Sequence, residues 1–208
     1  MRVAPEGWPF IGIAWVVLGG LLWFHLWLIA APWLLVALWV VAFFRDPVRD
    51  GPRGDELILA PADGMVVSVI AIDEPAYLRG PSTRVSIFMN VFNVHVNRYP
   101  ARGRIGFRAY VKGKFGHAGP EKASTDNEQS SVGLDTPRGK VLIKQIAGSI
   151  ARRIVTDHGE GAEVGQAERM GLIRFGSRVD VFVPPGAEVM VRVGEHTKAA
   201  QTVVARWK

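Results

Sequence analysis

Gly148-Ser149 lies between a β-branched run at 141–147 and the basic segment Ile150-Ala151-Arg152-Arg153-Ile154. A serine entered from an extended chain can turn its hydroxyl on the carbonyl of the residue before it. The ester so formed can eliminate, opening the chain to leave a dehydroalanine, whose imine tautomer is hydrolysed by water with release of ammonia to a pyruvoyl group at the new amino terminus. That ketone is an electrophile made without any bound cofactor. Gly-Ser is also an ordinary turn dipeptide, so the reading depends on what surrounds it.

A serine hydroxyl is a poor nucleophile and needs a base and a well-oriented peptide. His95, in an apolar strand-like context, is the candidate base, since an imidazole takes up and returns a proton near neutral pH. Asp63, in the turn Pro61-Ala62-Asp63-Gly64, is placed to fix the imidazole tautomer, giving an Asp, His, Ser constellation recognised by roles and not by chain order. The alternatives are a structural histidine and a turn-forming aspartate. His117 is a second-choice acid or substrate contact in the polar, glycine-containing stretch 113–131, which reads as a long loop or lid. His158 is expected to be exposed and His25 to serve packing.

The rest of the composition narrows the chemistry. The chain has 208 residues, no cysteine and five scattered histidines. Thiolate chemistry is excluded and no metal-ligand spacing is present. A net charge of +6 favours an anionic partner, either nucleic acid or an acidic lipid surface.

The N terminus decides between them in favour of lipid. From Trp8 to Phe44 the only ionisable side chain is His25, and six of the seven tryptophans fall there. Such a composition suits hydrocarbon and its interface. As one helix the run would be about 55 Å long against a hydrocarbon core of about 30 Å, so it must break or fold back. Gly19-Gly20 and Pro32 are the candidate breaks. Arg2 at one end and Arg45, Arg49 and Arg53 at the other put both ends on the cytoplasmic side by the positive-inside bias. A hairpin through the bilayer and a helix pair embedded in one leaflet both satisfy this pattern.

Beyond a charged, proline- and glycine-rich boundary at 45–56, the chain reads as β. Runs at 65–72, 84–89, 92–96, 104–115, 140–146, 178–183, 188–193 and 202–207 are short, β-branched and separated by turn residues. Pro61-Ala62-Asp63-Gly64 and Pro184-Pro185-Gly186 each precede an apolar strand, an echo like the two halves of a lipoyl-type barrel-sandwich. The expected architecture is mainly β, a barrel-sandwich (lipoyl-like) domain at 45–208 preceded by a hydrophobic N-terminal helical hairpin at 1–44. Arg104, Arg108, Lys112 and Lys114 are expected on one face of an extended strand, opposite Ile105, Phe107, Ala109 and Val111. That cationic face would suit anionic headgroups.

Four segments in fixed order carry a family resemblance: Pro61-Ala62-Asp63-Gly64; Phe92-Asn93-Val94-His95-Val96-Asn97-Arg98; Lys144-Gln145-Ile146-Ala147-Gly148-Ser149-Ile150-Ala151-Arg152-Arg153; and Phe175-Gly176-Ser177-Arg178-Val179-Asp180. Together they resemble phosphatidylserine decarboxylase of the short, pyruvoyl-dependent prokaryotic type. The resemblance implies cleavage between Gly148 and Ser149 into a β chain, 1–148, and an α chain, 149–208, that stay associated. It implies a pyruvoyl group formed from Ser149, with neither metal nor pyridoxal phosphate, and a catalytic set of Ser149, His95 and Asp63. The ketone would condense with the amine of phosphatidylserine, and the Schiff base would stabilise the carbanion left by carbon dioxide. His95, reused as an acid, would complete phosphatidylethanolamine.

Arg152, Arg153 and His117 are candidates to bind the substrate's phosphodiester or carboxylate, guanidinium being suited to planar anions. The resemblance implies a lipid partner at the cytoplasmic face of the cell membrane, no nucleic acid, and room for a homo-oligomer. Longer bacterial relatives carry a second histidine where this chain has Phe92. Two other readings stand beside this one. One is a membrane-anchored, non-enzymatic β-domain adaptor with Gly148-Ser149 as a plain turn, and the other is pyruvoyl chemistry on a soluble amino acid derivative.

Overall fold

The computed structural model describes residues 2–113, 127–148, 153–174 and 177–208. The chain divides into two compact units, Met1–Val48 and Arg49–Lys208.

The first unit is a helical hairpin closed at its base by a short ladder. β1 (Arg2–Val3) pairs antiparallel with β2 (Arg45–Asp46), and between them run a 3-10 turn (Pro5–Gly7), α1 (Trp8–Trp23) and α2 (Trp27–Phe43). Leu18 is buried together with Ala14, Ala30 and Ala37, and the three alanines are small enough to let two helices approach closely. Trp33 Nε1 donates to the Ala14 carbonyl at 2.9 Å. Elsewhere the surface is apolar: Leu28 is 93% exposed and Trp23 80%. The segment Pro5–Trp23 is long and apolar enough to cross a membrane, whereas α2 is equally apolar but shorter.

The break falls at neither expected place. The turn is at residues 24–26, where His25 takes a left-handed φ of 58° and the Leu26 N–H reaches back to the Leu21 carbonyl at 2.9 Å. Gly19 and Gly20 remain inside α1 and Pro32 inside α2. A helical glycine costs only about 1 kcal/mol relative to alanine. Pro32 is the sixth residue of α2, where its missing N–H removes a single early hydrogen bond.

The second unit contains β3 (Leu57–Leu59), β4 (Gly64–Glu74), β5 (Gly80–Met89), β6 (Val96–Arg98), β7 (Gly103–Val111), β8 (Gln129–Thr136), β9 (Gly139–Ala147), β10 (Ile154–Thr156), β11 (Glu163–Val164), β12 (Arg169–Ile173), β13 (Ser177–Val183), β14 (Ala187–Val189), β15 (His196–Thr197) and β16 (Val203–Trp207). A curled half-barrel sheet runs β11-β7-β8-β9-β13-β5-β4-β15. Two smaller sheets have the orders β10-β12-β6 and β14-β16-β3. The mainly β architecture with an apolar helical hairpin is therefore the one the sequence predicts.

Alternation builds the core. Val141, Ile143 and Ala147 of β9, Val179, Val181 and Val183 of β13, and Val85, Ile87 and Met89 of β5 bury themselves in one cluster, each of the larger side chains contributing about 1.5–3 kcal/mol. The opposite face carries a smaller cluster of Tyr77, Leu142 and Phe182, against which Phe107 packs.

Phe107 exposes an error in simple alternation along β7. The pairing with β8 shifts between Ile105 and Phe107, and an extra residue in one strand reverses which face the following side chains take. Ile105 points into the main core while Phe107 joins the other cluster. Arg108 is half-buried, donating to the His158 carbonyl at 2.6 Å, and that burial pulls its pKa below the usual arginine value. Arg104 and Arg108 therefore do not share the cationic face expected along this strand, and Lys114 lies outside the described residues.

Candidate active site

The segment that delivers His95 begins where β5 ends. Asn90 and Asn93 close a tight turn reciprocally: the Asn90 N–H donates to Asn93 Oδ1 at 2.9 Å, and the Phe92 N–H donates to Asn90 Oδ1 at 2.9 Å. Such side-chain turns are what asparagines form readily. Phe92 is 70% exposed on this turn. His95 follows, fully buried. Its Nδ1 lies 3.0 Å from the Asn93 carbonyl, which can only accept, so Nδ1 carries the proton and Nε2 is the basic position. A backbone carbonyl thus sets the tautomer.

Asp63 is engaged elsewhere. Its Oδ2 lies 2.6 Å from the Arg49 guanidinium, with both side chains largely buried, and its Oδ1 accepts the Ala199 N–H at 2.8 Å. Among the described contacts no hydrogen bond joins Asp63 to His95. The two are linked through backbone instead: the Arg98 N–H, on β6 just beyond His95, donates to the Pro61 carbonyl at 2.9 Å. Gly64 completes this turn where no side chain fits, since a Cβ there would lie 2.2 Å from the Phe88 carbonyl oxygen.

The chain reaches the Gly148 peptide along β9. Ala147 and Met89 both pair with Ser177, making a row across β9, β13 and β5 at one end of the main sheet. The Ala147 carbonyl accepts from Asn127 Nδ2 at 2.7 Å, and its N–H donates to the Glu128 carbonyl at 2.9 Å. The Asn127 bond holds the peptide that joins Ala147 to Gly148 and the Glu128 bond holds the peptide before it, and Gly148 is buried.

Beyond the junction the chain continues as β10. Ile154 pairs with Ile173 of β12, whose N–H meets the His95 carbonyl at 3.4 Å, and β12 pairs in turn with β6. The strand leaving the junction and the strand following His95 therefore flank one shared neighbour. Ser149, Arg152, His117 and Gly176 lie outside the described residues. Arg153 lies at the start of β10 with its side chain exposed and its carbonyl accepting the Arg174 N–H at 3.4 Å.

Several polar residues at this end were not singled out from the sequence. Gln145 and Asn97 are both fully buried, and Gln145 Nε2 donates to Asn97 Oδ1 at 2.8 Å. Thr156 Oγ1 donates to Gln145 Oε1 at 2.9 Å and lies 3.0 Å from Ser130 Oγ. A signal was present: Gln145 interrupts the inward series Val141, Ile143, Ala147. His158, expected to be exposed, is held by Tyr99 and Glu168. The Tyr99 hydroxyl is 3.2 Å from its Nδ1, and Glu168 Oε1 is 3.3 Å from its Nε2. Burial drives the Tyr99 pKa well above the usual tyrosine value. Among the described residues no group of three or more histidines and carboxylates is arranged to hold a metal.

The described part of the site is therefore a buried Gly148 at the end of β9 and a buried His95 on the turn that leads into β6, both in the β unit. Comparison with known proteins gives the family. The family profile of phosphatidylserine decarboxylase matches residues 36–205. Phosphatidylserine decarboxylase proenzymes are 45% identical in Symbiobacterium thermophilum, over 98% of this chain and 95% of the relative, and 46% identical in Nitrosomonas eutropha, over 99% and 95%. The proenzyme of Xanthobacter autotrophicus is 50% identical over 96% of this chain and 86% of its own length. The chain belongs to the phosphatidylserine decarboxylase family.

Proposed function

We propose that this chain cuts itself between Gly148 and Ser149 into fragments 1–148 and 149–208, and then decarboxylates phosphatidylserine to phosphatidylethanolamine in phospholipid synthesis. Ser149 attacks the Gly148 carbonyl, and His95, through Nε2, takes the hydroxyl proton. The Asn127 contact on the preceding peptide limits how far the Gly148 carbonyl can rotate away. The pyruvoyl group left on Ser149 supplies an electron sink for the loss of carbon dioxide from an amine-bearing substrate. The chain's own residues do the rest. His95 returns a proton to the product carbon, and Arg152, Arg153 and His117 are the candidates to bind the substrate's anionic groups. Asp63 acts at a distance, holding through Arg49 and Ala199 the turn against which β6 rests. The hairpin anchors the enzyme at the cytoplasmic face of the cell membrane, where its substrate lies.

What supports this reading is membership of the family together with connectivity: β10, which the chain enters after Gly148, and β6, which it enters after His95, are both paired with β12. Denaturing electrophoresis tests it. Wild-type protein gives two bands and Ser149→Ala one, with the smaller wild-type fragment blocked to amino-terminal sequencing and activity lost on borohydride treatment with substrate. Active wild-type protein that runs as a single uncut chain overturns the reading.

A further inference from the structure

The junction between the two proposed fragments is crossed by a polar chain that is buried at Ser130, Gln145 and Asn97 and partly buried at Thr156. It runs from Ser130 on β8 to Thr156 on β10 at 3.0 Å, from Thr156 to Gln145 on β9 at 2.9 Å, and from Gln145 to Asn97 on β6 at 2.8 Å. Ser130 and Gln145 are direct partners across the β8–β9 ladder, so the Thr156 hydroxyl sits against two neighbouring side chains of one sheet. Asn97 closes the far end, its Nδ2 lying 3.7 Å from Met89 Sδ, which Ser177 Oγ also approaches at 3.5 Å.

Burying an amide pair and a hydroxyl in an apolar core yields little net stability, because each lost hydration bond is only replaced. Apolar residues of the same shape would hold the fold about as well. What the polar chain adds is register, since a half-satisfied network is costly and only one arrangement satisfies all its members. The positions it fixes are informative. Gln145 is four residues before Ser149, Thr156 is seven after it, and Asn97 is two beyond His95.

Resting on the self-processing reading above, we propose that Thr156 and Gln145 are positioning residues, a clamp that holds the fragment beginning at Ser149 in register with the His95 strand before and after the cut. Once the peptide bond is broken, Thr156 belongs to the small fragment, while Ser130, Gln145 and Asn97 belong to the large one. The clamp then takes over what the backbone did, keeping the new amino terminus within reach of His95.

Thr156→Val removes the hydroxyl with little change of shape, and Thr156→Ser restores it. The expected result for Thr156→Val is self-cleavage slowed about tenfold to hundredfold, the effect of misplacing reacting groups by about 1 Å. In its processed fraction, kcat falls by about tenfold with KM within about twofold. Thr156→Ser recovers both rates. Should Thr156→Val fail to fold, Ser130→Ala, which removes one of the two partners of that hydroxyl, gives the same pattern at smaller size.

The clamp is overturned if Thr156→Val folds, cuts and turns over like the wild type. It is equally overturned if Thr156→Ser is as impaired as Thr156→Val, or if KM alone changes. An uncut wild-type protein would overturn the underlying reading instead, and the electrophoresis shows that before any variant is compared.

Discussion

The hairpin and the β unit are built from similarly apolar residues and do opposite things with them. In the β unit, Ile143, Val181 and Leu134 are wholly buried and polar side chains line the outside, whereas in the hairpin Ala14, Ala30 and Ala37 lie inside and Trp23, Leu28 and Leu35 point out. Inward packing of large side chains is what water demands, and outward display of them is stable only where the surroundings are themselves apolar. The two regions thus present opposite kinds of surface, and the described candidate-site residues Asp63, His95 and Gly148 all belong to the β unit.

The sharpest test of that contrast is one charge introduced into each region. Ile143→Asp places an unpaired carboxylate in the β core and should cost on the order of 4 kcal/mol or more, leaving no soluble folded protein. Leu35→Asp should leave the melting of the β unit unchanged in detergent, while weakening membrane partition by about 2.5–3.5 kcal/mol in flotation assays. Equal thermal effects from the two would abolish the distinction.

Asp63→Asn comes next. It leaves the largely buried Arg49 guanidinium without its counter-charge, and should cost about 2–3 kcal/mol in denaturant unfolding, less than a fully buried pair. Self-cleavage of the folded protein should slow less than in His95→Ala, because Asp63 reaches His95 only through the backbone. A variant with unchanged stability and no cleavage would make Asp63 a direct participant.

Removing residues 1–48 separates the regions outright. Self-cleavage should persist, while activity on phosphatidylserine vesicles falls about tenfold to hundredfold, an effective-concentration loss, and activity on a short-chain, water-soluble phosphatidylserine is retained. Failure of the truncated chain to cut itself would show the hairpin to be part of the folding unit.

The smallest effect is alkaline. Burial, followed by the 2.7 Å hydrogen bond to Asp135, raises the Tyr77 pKa well above its usual value, and burial raises that of Tyr99. The unfolded chain ionises its tyrosines near pH 10 while the fold keeps these two neutral. Stability is therefore complete below about pH 10 and falls as pH rises past it, and Tyr99→Phe should flatten that slope in pH-dependent melting. The segment between Trp8 and Phe44 contributes nothing to it, having no ionisable side chain but His25.

Local patterns revealed the β class and the apolar hairpin, whereas the run at 92–96 that reads as a strand is a turn closed by asparagine side chains, with His95 just ahead of β6. The rest needed tertiary information. The bulge after Ile105 is set by pairing with β8, and no property of Gly106 alone places it. The hairpin turns at His25, because helix pairing outweighs the weak breaking signals of Gly19-Gly20 and Pro32. Asn97 and Gln145 were visible within the motifs, yet their roles depend on Thr156, a partner recognisable only once β9 and β10 are brought together.

One consequence follows from β13. Under the proposed cut this strand would belong to the C-terminal fragment, yet it is hydrogen-bonded along its length between β9 and β5 of what would be the N-terminal one. A chain cut after Gly148 can keep that arrangement but has lost the tether that threaded it. Durability of the mature enzyme is then a matter of how slowly it opens rather than of equilibrium, and each molecule has a single opportunity to assemble.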